Sequence, residues 1–320
     1  MTSKIPDIIM ANRPNLSQSS LRTYMSNINK TSKDINKPLE TIDDIIANCS
    51  TIMEVLMGYK PNIRKTKLSA FIVILDEKEK TPEERKKIIE DFRKQMYADA
   101  DEVDKDEDKQ RLTEKQEKNF ITWDSVLKIY NELKIEAEPL FKLQTITTKQ
   151  LSKLQDFVLL SMYVLIPPRR SLDYARFKIR NCNPEVDNCM VTKSKKKPSV
   201  FVFNTYKNSG RLGKQEVTVP NTLRNIIQKW SLKNPSDFLL VNNKGNPIEQ
   251  PKMNSILNNI FGKQIGSSML RHIYLTNKYS DVDLQEMKDT TEAMGNNQIE
   301  RTLKYVRKNV ADGGDEIPDD

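Results

Sequence analysis

The chain has 320 residues, of which 37% are hydrophobic and 30% charged, with a formal net charge of +8 and a single histidine. Its longest apolar run, FVLLSMYVLIPP, is broken by proline at about half the length of a bilayer-spanning helix, and the N-terminus lacks a signal-peptide core. One histidine and three cysteines argue against His-dependent hydrolases, a metal site and a disulfide framework. We therefore expect an intracellular or nuclear protein whose chemistry relies on Arg, Lys, Tyr, Ser or carboxylates.

Charge is unevenly distributed along the chain. Residues 1–75 carry 10 basic and 6 acidic side chains, residues 76–118 carry 12 and 16, and residues 119–310 carry 30 and 17. Residues 311–320 form an acidic tail with five acids and no bases. This pattern predicts two basic domains, 1–75 and 119–310, joined by a charged helix and linker. Basic domains of this size favour nucleic-acid binding, and a protein with many surface lysines is the alternative.

Helical periodicity predicts an all-helical N-terminal domain. NLSQSSLRTYMSNINKTS places apolar residues at helical spacing behind Ser and Asn residues that suit an N-cap. TIDDIIANCSTIMEVLMGY predicts a second helix or a helix pair, and NIRKTKLSAFIVILDE predicts a third. We expect basic and hydroxyl side chains of the first and third helices to face a phosphate backbone, or else solvent. The following TPEERKK segment predicts a charged helix that frays into a linker and is too polar to bury much of its later part.

From TWDSVLKIYNELK onward the pattern predicts a second domain, mostly helical with a small antiparallel sheet. The buried helix TTKQLSKLQDFVLLSMYVLIPP ends at a double proline, and a short helix and loop follow. Three short strands lie within NCMVTKSKKKPSVFVFNTYKNSGRLGKQEVTVP, two of them forming a hairpin around Asn-Ser-Gly. Helical patterns resume at Asn221. The expected fold class is mainly α with a small antiparallel β-sheet, of the α+β type. The inner face of the first helix consists of Trp123, Val126, Leu127, Tyr130 and Leu133.

Four motifs follow one another in the second domain, in the order PPRRSLDYARFKI, TYKNSG, SMLRH and MGNNQIERTLKYV. In order and spacing they resemble the motifs of the tyrosine recombinase/integrase family. PPRRSLDYARFKI resembles the family's first arginine box, in which an acid follows the arginine by three residues. Arg170 and Asp173 fit that frame, and Arg169 is the neighbouring candidate. TYKNSG resembles the family's lysine turn, with Lys207 in that role and Lys214 as the alternative.

Two further motifs complete the resemblance. SMLRH resembles the His-x-Leu-Arg-His box, which makes Arg271 the second arginine. MGNNQIERTLKYV resembles the family's Leu-Gly-His-x-x-Ile-x-x-Thr-x-x-Tyr segment, which makes Tyr305 the nucleophile. Two positions depart from the family pattern, since Ser268 replaces the first His of the box and Asn296 replaces the His or Trp after the glycine. Proton transfer should therefore be slower or depend on another group, because only histidine titrates near neutral pH without perturbation.

The single histidine, His272, does not replace the missing one. Adjacent side chains on a helix diverge by about 100°, so His272 should point away from wherever Arg271 points. We expect His272 either to pack against neighbouring side chains or to support the residues that bind the phosphate without touching it.

The resemblance implies a site-specific recombinase that cleaves and rejoins DNA through a 3′-phosphotyrosyl intermediate, without a metal, ATP or another cofactor. Arg170 and Arg271 would stabilise the phosphate charge, Lys207 would protonate the 5′ leaving oxygen, and Tyr305 would attack. The implied partner is double-stranded DNA, bound by a core-binding domain in residues 1–75 and a catalytic domain in residues 119–310. The implied assembly is a homotetramer on paired sites, with no membrane partner.

Other functions stay open at this point. The alternatives are a non-cleaving DNA-binding protein of the same fold, a type IB topoisomerase-like enzyme, and an unrelated helical scaffold with a basic surface. The Lys-, Asn- and Ile-rich composition is typical of AT-rich genomes and favours a virus or mobile element. In that case we expect the protein in a host nucleus or viral factory.

Overall fold

The computed structural model describes residues 4–108, 112–192, 198–279 and 284–295. The chain forms two compact units, Met1–Lys109 and Gln110–Asp320. It is mainly helical with one three-stranded antiparallel sheet, which confirms the expected fold class. Within the described ranges, no helix combines the length and the apolarity that crossing a membrane requires.

The N-terminal unit is built around one central helix, α5, which packs against the other main helices of this unit. The C-terminal half of α5 has the sequence AFIVIL and is buried along its whole length, because neighbouring helices cover it on several sides. The first helix, α1, was not predicted, since only eight residues form it. The helices are α1 (Ile5–Asn12), α2 (Gln18–Asp34), α3 (Ile42–Ala47), α4 (Cys49–Met57), α5 (Pro61–Leu75), a 3₁₀ turn (Lys78–Lys80) and α6 (Glu83–Asp108).

The charged helix α6 belongs to this unit and extends it beyond residue 75. Ile89 and Phe92 are buried against α5, and the Asp99 carboxylate, 1% exposed, accepts hydrogen bonds of 2.9 and 2.6 Å from Arg64. Asp99 is thus a buried charged residue within a segment that the sequence predicts to be too polar to bury much of its later part. A carboxylate can be buried when a guanidinium neutralises it and satisfies its oxygens.

The C-terminal unit packs its helices around α9, which is buried by α8, α12 and α13. A capping box at Thr147 begins α9, and the helix ends before the double proline, as the sequence predicts. The helices are α7 (Glu114–Glu117), α8 (Trp123–Lys142), α9 (Thr148–Val164), α10 (Ser171–Tyr174), α11 (Ser209–Leu212), α12 (Asn221–Ser231), α13 (Gln250–Phe261), α14 (Ser267–Lys278) and α15 (Leu284–Ala293).

The sheet has the order β1-β2-β3, with strands β1 (Cys189–Val191), β2 (Val200–Phe203) and β3 (Gln215–Thr218). The predicted hairpin is confirmed, with Phe201 opposite Val217. The connection is longer than the predicted Asn-Ser-Gly turn, because it contains α11. Tyr206 is buried in this connection and donates a 2.8 Å hydrogen bond to the Gly213 carbonyl, so the long loop is held against the core.

Candidate active site

The two adjacent arginines of the first box have different environments. Arg169 is completely buried, and its Nε donates a 2.9 Å hydrogen bond to Asp173, which is also fully buried. Arg170 is only half-buried, and its extended backbone forms the N-cap of the one-turn helix α10. Because adjacent residues of an extended segment point to opposite sides, one arginine enters the core and the next approaches the surface.

Asp173 experiences the charges of both arginine boxes. Burial raises the pKa of its carboxyl above the ordinary value, and the charges of Arg169, Arg170 and Arg271 act in the opposite direction. Arg271 lies on α14 and is 1% exposed. The fold therefore brings together arginines that are about a hundred residues apart in the sequence, around one buried carboxyl.

A hydroxyl and amide cluster joins the two boxes directly. Ser171 follows Arg170, and its hydroxyl shares a 2.8 Å hydrogen bond with the Ser267 hydroxyl at the start of α14. The Ser171 hydroxyl also donates a 3.0 Å hydrogen bond to Asn254 of α13, and the Ser267 hydroxyl accepts a hydrogen bond of 3.2 Å from the Ser171 backbone N–H. These short bonds fix the N-terminus of α14, and hence the helix that carries Arg271, relative to Arg170.

Lys207 is exposed on the segment between β2 and α11. Asn188 ties this segment to the first box, since its side-chain nitrogen donates to the carbonyls of Asp173, at 2.9 Å, and Thr205, at 2.7 Å. Its side-chain oxygen accepts from the backbone N–H groups of Asn204 and Thr205, both at 2.8 Å. The start of the lysine segment is thereby fixed relative to Asp173.

Lys214, the alternative lysine, already forms ion pairs with two glutamates. Its ammonium lies 2.8 Å from Glu185 and 3.9 Å from Glu216. The hydrogen bond with Glu185 raises the pKa of Lys214 above its ordinary value, which makes it a weaker proton donor. Between the two lysines, this environment favours Lys207 as the candidate acid.

The remaining predicted residues are only partly covered by the structure. Ser268 is exposed at the first turn of α14, and His272 is half-buried next to the buried Arg271 in the sequence. Tyr305, Asn296 and the acidic tail at 311–320 lie outside the described residues.

Gln215 accepts a 3.0 Å hydrogen bond from Arg169. Four residues that connect the site were missed by sequence reasoning: Asn188, Gln215, Asn254 and Ser267. No periodic or motif signal marks them, because each acts through a hydrogen bond to a distant segment. Ser267 is adjacent to a predicted residue, which was the only local hint. In the described part of the chain, no group of three or more His, Cys, Asp or Glu side chains is arranged to hold a metal ion.

The arrangement is suited to an anionic ligand. Guanidinium groups present planar donor forks that match phosphate oxygens and stay protonated at all physiological pH values. Half-buried Arg170, buried Arg271 and exposed Lys207 supply three cations from three segments. A tetrahedral oxyanion bound beside the two arginine boxes would meet preorganised positive charge in a partly water-excluded setting.

The comparisons with known proteins show the fold. No family model matches the sequence, and no curated protein matches it. Solved structures with similar folds include tyrosine recombinases and integrases, as the sequence resemblance predicts. A lambda integrase tetramer bound to a Holliday junction shares 14% identity, with 99% of this chain and 81% of that chain covered and a TM-score of 0.53.

Two other solved structures also have folds similar to this chain. A lambda integrase dimer bound to a COC′ core site shares 14% identity, with 96% of this chain and 95% of that chain covered and a TM-score of 0.52. The Tn1549 transposon integrase in complex with circular intermediate DNA shares 13% identity, with 97% of each chain covered and a TM-score of 0.51. The similarity extends over both units of the chain.

Proposed function

We propose that this protein is a site-specific DNA recombinase that cleaves and rejoins strands through a phosphotyrosyl bond. The observation that carries the proposal is that the two arginine boxes lie in direct contact. Ser171 and Ser267 share a 2.8 Å hydrogen bond, and the charges of Arg170 and Arg271 act on one carboxyl. The shared fold with integrases that were solved on DNA supports the same reading.

Each proposed role follows from the chemistry of the side chain. Arg170 and Arg271 neutralise the charge that develops on the non-bridging oxygens as the nucleophile adds. Tyr305 forms the bond to phosphorus, and Lys207 donates a proton to the departing 5′ oxygen, which is a poor leaving group otherwise. The energy of the broken ester is kept in the phosphotyrosine, so a second strand's hydroxyl can reverse the step.

The proposed partner is double-stranded DNA, with a homotetramer on paired sites as the assembly that the family resemblance implies. Both assignments rest on the resemblance and on the basic character of residues 1–75 and 119–310. Binding should weaken steeply as salt increases, since phosphate contacts release condensed counterions.

The test uses duplexes that the protein itself retains from a random library. Nicked versions of these duplexes trap a covalent adduct, because the short strand beyond the cleavage point is lost. Wild type should form an adduct that survives denaturation, and Tyr305→Phe should not. If the adduct persists in Tyr305→Phe, the nucleophile assignment is wrong, and Tyr274 and Tyr279 would be tested next.

The second candidate function is DNA binding without cleavage. It is favoured by Ser268, which stands exposed where the family's box begins with histidine and cannot carry a proton near neutral pH. Absence of an adduct on every duplex that the protein binds would support this candidate and overturn the first.

A further inference from the structure

Arg169 connects several parts of the candidate site without reaching solvent. Its Nε donates to Asp173 at 2.9 Å, its Nη1 to the Ala293 carbonyl at 2.6 Å and its Nη2 to the Gln215 side-chain oxygen at 3.0 Å. Its guanidinium also lies 4.0 Å from the ring centroid of Phe203. One side chain thereby links α10, β3 and the end of α15, with an aromatic ring of β2 beneath it.

The C-terminal end of α15 is held by side chains from other elements. The last carbonyls of a helix have no partner within the helix and attract donors and positive charge. Here the Glu292 carbonyl accepts from Gln215 at 3.2 Å, and the Gly295 carbonyl accepts from Asn208 at 2.7 Å. Together with the Arg169 bond to Ala293, three donors hold this end. We call Arg169, Asn208 and Gln215 the α15 socket.

Gly295 is required for the close fit at this socket. Its φ is +68°, and a Cβ added there would lie 2.9 Å from Arg169 Nη2. A side chain would therefore both strain the backbone and push against the guanidinium. In the sequence, Tyr305 follows ten residues after Gly295.

Each socket residue is the immediate sequence neighbour of an arginine or lysine that the sequence analysis named as a candidate. Arg169 precedes Arg170, Asn208 follows Lys207, and Gln215 follows Lys214. The segments that carry Arg170 and Lys207 thus also supply bonds to the end of α15, whereas none of these three bonds comes from α14, which carries Arg271. A displacement of this end would therefore also shift the segments that carry Arg170 and Lys207.

We propose that Arg169 is a positioning residue that, with Asn208 and Gln215, fixes where the chain leaves α15 and so sets the approach of the proposed nucleophile. This inference rests on the proposed function. It assigns Arg169 no contact with DNA, since all three of its guanidinium nitrogens donate to protein oxygens. Its loss should slow attack on phosphorus and leave DNA affinity unchanged.

The experiment compares Arg169→Lys, Asn208→Ala and Gln215→Ala in the full chain. Lysine keeps the charge beside Asp173 but has no planar fork for three separate acceptors. The two alanine variants remove half-buried side chains, so they test the socket without an uncompensated buried charge. Arg176→Lys is the matched control, because Arg176 lies in the same box and its side chain is 70% exposed.

Three readouts separate positioning from other roles. Single-turnover cleavage at saturating duplex should fall by about ten- to a hundredfold in Arg169→Lys, and less in the alanine variants, while the duplex Kd changes by less than about twofold. A duplex with a bridging 5′-phosphorothiolate, whose leaving group needs no proton, should not rescue the variants. Amide exchange in peptides covering residues 284–295 should accelerate in the variants and stay unchanged in the control.

The outcomes distinguish this inference from the proposed function. Unchanged cleavage in all three socket variants, equal weakening of binding and cleavage, or rescue by the phosphorothiolate would each overturn the positioning role. If wild type forms no adduct at all, the proposed function fails instead. The amide exchange measurement still reports on the socket in that case, because it requires no activity.

Discussion

Asp156 is a carboxyl whose ionisation should weaken the C-terminal unit. It lies half-buried on α9, and burial raises its pKa from 3.8 to about 6, although Lys153 and Lys252 act in the opposite direction. A pKa difference of about 2 corresponds to about 3 kcal/mol of unfolding free energy. Because Asp156 keeps some contact with water, we expect about 1–2 kcal/mol in practice.

The pH dependence follows from the sign of this shift. As pH rises, the unfolded chain releases the Asp156 proton before the folded protein does, so the free energy of unfolding falls between about pH 4 and pH 6 and is level above that range. Asparagine stays neutral throughout. Asp156→Asn should therefore stabilise the unit by about 1–2 kcal/mol at about pH 7.5, and by about a third of that at about pH 4.5.

Urea denaturation followed by tryptophan fluorescence measures this effect selectively. Both tryptophans, Trp123 and Trp230, lie in the C-terminal unit, so the signal does not report on the N-terminal helices. Glu132→Gln is the control, because Glu132 is an exposed carboxyl on α8. An equal gain at both pH values, or no gain at either, would refute the argument from burial.

Further predictions concern the buried ion pair and the lysine segment. Asp99→Ala leaves the Arg64 guanidinium buried without its carboxylate and should cost about 3 kcal/mol, measured by urea titration with circular dichroism. Replacing both Asp99 and Arg64 by leucine should regain most of this loss, and a double variant as unstable as the single one would contradict the charge argument. Lys207→Ala should slow cleavage and be rescued by a bridging 5′-phosphorothiolate. Lys214→Ala should show no such rescue, since its ammonium already binds a carboxylate, and rescue there would reassign the acid. Asn188→Ala should slow cleavage by about tenfold with the duplex Kd unchanged, and an undiminished rate would show that the segment holds its place without this amide.

Much of the helical framework could be predicted because local signals agreed with tertiary packing. For α9, the capping box at Thr147, the apolar run and the double proline all indicate the same boundaries. The alternation in SVFVF likewise predicts β2, whose Phe201 and Phe203 are both fully buried in the aromatic core. Such elements need no information from distant parts of the chain.

The polar connections could not be predicted, because they depend on which distant segments meet. Ser171 and Ser267 are 96 residues apart and share a hydrogen bond, but no pattern in either segment indicates the other. The choice between Arg169 and Arg170 has the same origin. Both are arginines in one motif, and only the positions of Asp173 and α15 determine which side chain is buried.

The four hydrogen bonds of Asn188 leave its amide a single acceptable orientation. Its nitrogen faces two carbonyls and its oxygen faces two backbone N–H groups. Hydrolysis of this amide would exchange the donor for a second acceptor, so a negative charge would then face both carbonyls. Slow deamidation of this one buried side chain, which releases ammonia, would thus loosen the segment that carries Lys207. Both hydrophobic cores would stay intact.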